Sequence, residues 1–212
     1  MGIRITCMLF AIALVLPAVI IDRIAIVVRN SIIKDSDVNR DIRVTDFLNG
    51  RPLNFSASAR KEAADRLIAQ ALIRREIRLG DYPMATLQDA DEQLDSLESE
   101  RFKTQAALDR ALGRYGLTEL DLRTQFQWQL TVLRFIDLRF KPAVMVTDQE
   151  ADAYYREHEA ELRHDHPKQS LDELKSDARD VIVGERVNKL FFDWLNQQRG
   201  DTKIVFHEAS LK

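Results

Sequence analysis

The stretch Arg23-Ile24-Ala25-Ile26-Val27-Val28-Arg29 is short, rich in β-branched residues and closed by charged ones, which reads as a β-strand. Asn30-Ser31 supplies a turn, and Ile32-Ile33 can return as a second short strand. The next strand-like run is Lys203-Ile204-Val205-Phe206, near the other end of the chain. A lone two-stranded hairpin is marginal in water, so this distant strand is expected to join it. The fold follows from that pairing: the chain ends meet, and all between them is one helical insertion.

The intervening sequence carries helical periodicity. Asp35-Ser36-Asp37 offers an N-cap before Val38, and Asn49 to Phe55, with Gly50 and Pro52, reads as a loop. Ala64, Leu67, Ile68, Ala71 and Leu72 mark one face of a helix that Gly80 and Pro83 stop. Leu87, Ala90, Leu94 and Leu97 mark the next, and Leu108, Ala111 and Leu112 a short one ending at Gly116. A long helix starts at Thr118, runs to about Phe140 and is closed by Pro142. Thr147-Asp148-Gln149-Glu150 and Ser170-Leu171-Asp172-Glu173 are capping boxes opening two more helices. The last of these runs to about Arg199, with Val183, Val187, Leu190, Phe191 and Trp194 on one stripe and Gly200 ending it. The expected class is therefore mainly α, a multi-helix domain with a small sheet made by the N-terminal hairpin and the C-terminal strand.

Composition agrees with this class. The 212 residues are 45% hydrophobic, enough for a proper core, and seven Gly with five Pro are few for an all-β fold. The net charge of −3 leaves no basic excess to neutralise phosphates, so no nucleic-acid partner is expected.

Arg4 precedes an apolar run from Ile5 to Ile21, broken by Thr6, Cys7 and Pro17. It has the length of a signal-peptide core and is marginal for a membrane span. Residues 1–18 are read as a signal peptide cleaved after Ala18, the alternative being an uncleaved anchor, the one case in which membrane contact is expected. Residues 19–212 are then the mature domain, located in the periplasm. Cys7, the only cysteine, lies in the removed segment, which excludes disulfides, cysteine catalysis and Cys metal sites from the mature chain.

Several stretches together resemble one family. Ile21-Asp22-Arg23-Ile24-Ala25-Ile26-Val27-Val28 with Ile32-Ile33 and Ser36-Asp37-Val38 is similar to the opening of the SurA, PpiD and PrsA-type periplasmic foldases. Leu67-Ile68 with Leu72-Ile73 resembles that family's second motif, and so does Tyr115-Gly116-Leu117-Thr118-Glu119 leading to Phe126 and Leu130. Val146 to Glu150, with Tyr154-Tyr155, resembles the helix that precedes the parvulin isomerase module. The resemblance covers almost all of residues 21–206, although Asn30-Ser31 stands in place of the family's Asn-Gly turn. A larger departure lies between Leu162 and Ser170. There the family inserts its parvulin module, and here only Arg163 to Gln169 remain, as a short 163–169 linker.

The resemblance implies an ATP-independent chaperone that holds unfolded or extended clients, outer-membrane or secreted proteins, on a helical cradle. Parvulins carry paired-Gly turns and active-site histidines on strands. This chain has no Gly-Gly pair and no strand-like stretch in that linker, so isomerase activity is not carried over. The alternatives are a prolyl isomerase with a reduced module, and a scaffold subunit for one fixed envelope partner. No G-x-S-x-G, P-loop, G-x-G-x-x-G or H-E-x-x-H pattern occurs, so no catalytic residue and no cofactor is expected. His164-Asp165-His166, with His158 before it, has metal-ligand chemistry, but a metal site needs fixed geometry and this cluster lies in the shortened linker ending at Pro167, so it reads as a solvated loop and no metal is assigned.

The long helix carries the site expectation. Leu122, Phe126, Leu130, Leu133 and Phe140 form one stripe, while Trp128, Val132, Phe135 and Ile136 extend the apolar surface round it. Leu122, Phe126 and Leu130 are expected inside. Trp128, Val132, Phe135 and Ile136 are expected to contact clients, with Trp128 and Phe135 the more accessible. Such binding should survive high salt and weaken on cooling, because apolar burial is not screened by ions.

Overall fold

The structure, a computed structural model, describes residues 22–207. The expected signal segment lies outside the described residues. Among the described residues, no helix is long and apolar enough to cross a membrane.

Strand β1, Ile24–Val28, pairs antiparallel with β2, Ser31–Lys34, and on its other side with β3, Ile204–Phe206. The sheet order is β2-β1-β3, so the strands on either side of the helical insertion meet in one sheet. Val28 faces Ser31, which makes Arg29-Asn30 the hairpin turn rather than the Asn30-Ser31 of the sequence reading. Arg29 takes the left-handed conformation there, with φ of 51°. The ladder is extended at both ends by Arg29 N–H to the Lys203 carbonyl and His207 N–H to the Ala25 carbonyl.

Helix α1, Asp35–Leu48, follows β2 without a loop. Its cap is Lys34, not one of the three residues after it. Lys34 is extended, and its backbone N–H donates to the Asp37 carboxylate at 2.9 Å. Asp35 and Asp37 instead occupy the first turn, where their charge favours the positive end of the helix dipole. Helix α2, Ala57–Leu79, is capped by the Ser56 hydroxyl. Helix α3, Asp91–Leu97, runs into a wider π-type turn over Glu98–Phe102. Helix α4, Gln105–Tyr115, ends on Gly116 at φ of 63°, a conformation that favours glycine, as its position in the sequence implied.

Helix α5, Glu119–Arg139, α6, Asp148–Asp165, and α7, Leu171–Gly200, complete the insertion. Each opens with a reciprocal capping box, at Thr118/Asp121, Thr147/Glu150 and Ser170/Glu173. Two boundaries differ from the sequence reading. Gly200 is the last residue of α7 and Asp201 caps it. Helix α6 continues through Arg163, His164 and Asp165, so the expected 163–169 loop shrinks to a tight connection from His166 to Ser170. The Arg163–Glu159 ion pair at 2.9 Å and the Arg163 hydrogen bond to the Tyr155 hydroxyl, one and two turns back, extend that helix.

The core has four parts. The sheet packs on α1 and α2 through Ile26, Val38, Ile42 and Ile68. The end of α1 meets α3, α4 and the first half of α5 around Phe47, Leu108 and Leu122. The far end of α2 meets the second half of α5 and α7 around Phe135, Phe140 and Phe191. Tyr155, Leu174 and Ala178 join α6 to α7. Helix α5 enters two of these clusters on different faces, which explains why its apolar residues wrap round it.

Candidate functional site

Helices α1, α2 and α5 leave an open groove of about 530 Å³ between them, with β2 at one end. Helical spacing builds each wall. Asp37, Asp41 and Val44 come from α1, Leu67, Ala71, Arg74 and Arg78 from α2, and Asp121, Gln125 and Trp128 from α5. Ile33, Val44, Ile77 and Trp128 are buried and give the groove an apolar floor, with half-buried Leu67 and Ala71 beside them. Ile32 and Met84 remain about half exposed at its mouth.

The Met84 side is held rigidly by α5. The buried Thr131 hydroxyl accepts the Ala85 N–H at 3.0 Å and donates to the Gln127 carbonyl at 2.8 Å. Gln127 in turn donates to the Ala85 carbonyl at 2.9 Å, and Arg134 pairs with Asp89. Tyr82 packs edge-on against Phe135.

The acids of the groove are engaged. Asp41 pairs with Arg66 at 2.5 Å, although burial pushes its carboxyl above the ordinary aspartate value against the pull of that arginine. Asp121 accepts the Thr118 N–H and faces Arg40 at 3.4 Å. Asp37 is occupied by the Lys34 N–H. Arg74 differs. Its guanidinium lies over the Trp128 ring, 4.1 Å from the centroid, and among the described residues it has no acidic partner. Desolvation, with a smaller contribution from Arg78, lowers its pKa from the ordinary arginine value.

Of the four residues expected to contact clients, the groove brings in one. Trp128 lines its floor and is only 7% exposed. Phe135, expected to be accessible, is fully buried among Tyr82, Phe140 and Trp194. Val132 and Ile136 are half-buried against the same cluster and do not line the groove. The expected inner stripe holds for Leu122 and Phe126, while Leu130 is half-buried and Leu133 is 59% exposed. Phe135 is inside because Tyr82 and, from α7, Trp194 close over it, tertiary contacts that helix periodicity cannot show. The α2 face of the groove was missed. Its signal is the Leu67, Ala71, Arg74, Arg78 spacing, which runs beside the buried Ala64, Ile68, Leu72 stripe.

The histidine-rich stretch assembles no site: His158 stacks on Tyr154 at 4.0 Å, and His166 lies 4.0 Å from the Asp177 carboxylate. Among the described residues, no group of three or more His, Cys, Asp or Glu side chains could hold a metal ion. In comparisons with known proteins, no family model matches the chain and no match is found among curated proteins.

Proposed function

We propose that this chain is an ATP-independent holding chaperone of the SurA-like type, exported to the periplasm, which shelters extended or unfolded polypeptides. The observation that carries the reading is the groove between α1, α2 and α5, a solvent-open channel with a buried apolar floor and a polar rim. Such a channel can take apolar side chains from an extended segment while the client backbone stays near water. The helical insertion that forms it is joined at its base by the pairing of β1 with β3. In this reading the protein binds and releases without chemistry, and outer-membrane or secreted proteins are its clients.

The test is fluorescence anisotropy with one labelled protein presented in unfolded and in folded form. The proposal expects binding of the unfolded form only, shared by unrelated sequences, and no acceleration of proline isomerisation in a test peptide. Binding confined to one folded envelope protein favours a scaffold instead, and isomerase turnover above the uncatalysed rate favours an enzyme.

A further inference from the structure

The groove is apolar at its floor but not neutral in its free charge. Six charged residues line it. The three acids are engaged, Asp37 by a backbone N–H, Asp41 by Arg66 and Asp121 by Arg40 and its own helix cap. Arg40 is accounted for by Asp121. Arg74 and Arg78 are left, one turn apart on α2, and among the described residues neither has an acidic partner.

The placement of Arg74 is suited to a carboxylate. The Trp128 ring lies under the guanidinium at 4.1 Å, and among the described residues no acidic side chain takes its N–H donors. A guanidinium presents those donors as a fork that matches a carboxylate in two parallel hydrogen bonds. Arg78 adds a second positive charge on the same side, and two like charges at this spacing on a helix repel each other until an anion sits between them. The whole chain is net negative at −3, so the preference is local to the groove and not a long-range attraction.

We infer that the groove selects extended polypeptide segments in which an acidic side chain neighbours an aliphatic or aromatic one, the carboxylate seated on Arg74 and Arg78 and the apolar group on the floor beside Trp128. This inference rests on the groove being the client site and adds what it prefers there.

The experiment uses three labelled, unstructured peptides that share flanking leucines and differ at one position, Glu, Gln or Lys. Binding is read by anisotropy at low and high salt, on the wild-type chain and on an R74Q/R78Q variant whose melting temperature is checked. The expected result is Glu tighter than Gln by roughly three- to tenfold, and Lys weakest. That gap should narrow at high salt and vanish in the double variant. Equal affinity for Glu and Gln peptides on the wild type overturns the inference and leaves the holding function standing. A Glu preference that persists in the double variant places the anion site elsewhere and also overturns it. If no peptide and no unfolded protein binds, both readings fall together.

Discussion

Val27 and Val205 stand opposite each other across the β1–β3 ladder, although they belong to the two ends of the chain. The helical insertion between them is thus closed by three backbone-paired residues of β3. Deleting Lys203 onward should lower the melting temperature and loosen the hairpin, since β1 and β2 alone are a marginal unit. Hydrogen exchange at the Arg29 amide, which donates to the Lys203 carbonyl, reads the local effect. A truncated chain with unchanged melting and unchanged protection would show that the ends are not coupled.

The second prediction concerns Phe135, which has no exposed surface and meets Tyr82 and Phe140 edge-on at 5.1 and 5.8 Å. F135A should cost about 3–5 kcal/mol of stability through lost burial and the cavity left behind. Client binding per folded molecule should be normal, because this ring lies outside the groove. Denaturant melts beside an anisotropy titration check both halves.

How far the sequence carried this depended on the range of the interaction. Capping boxes such as Thr147/Glu150, the Gly116 stop and the β-branched run at residues 24–28 are local, so they were legible and the structure has them. The sheet was legible for another reason: two short strands needed a third, and one candidate remained. The exposed face of α5 was not legible. Trp128 and Phe135 are covered by α2 and α7 partners that lie far away in sequence, and an apolar residue carries no mark of which neighbour will cover it. The groove was hidden likewise, because its walls come from three helices and each contributes only a partial stripe.

Thr131 offers a sharper test of the groove's rigidity. T131V keeps the shape but removes the acceptor for the buried Ala85 N–H, which should cost about 1–3 kcal/mol. The segment bearing Met84 should loosen with it. Faster exchange of the Ala85 amide, with α6 and α7 unaffected, is the expected signature.

The hairpin of α6 and α7 should be acid-sensitive. Glu150 hydrogen-bonds to Arg186, its largest influence, and also accepts from Thr147, and together these lower its pKa to about 2 from an ordinary 4.5. A carboxyl with a depressed folded-state pKa contributes stability that is present above the unfolded value and lost as pH falls through the folded one. The contribution should therefore fade between about pH 4.5 and 2. E150Q should flatten the stability profile across that window and leave neutral-pH unfolding two-state. An unchanged acid limb in E150Q would mean that the ion pair with Arg186 carries no such weight.

The central claim is that this fold shelters unfolded chains in the α1–α2–α5 groove. The most direct measurement is light scattering of a denatured outer-membrane protein diluted into buffer with and without this chain, in the absence of ATP. The account predicts that scattering is suppressed by comparable molar amounts of the protein. It also predicts that A71R, which fills the groove, loses the effect per folded molecule, the folded fraction being read from its melting curve. Identical scattering curves with and without the chain would contradict it.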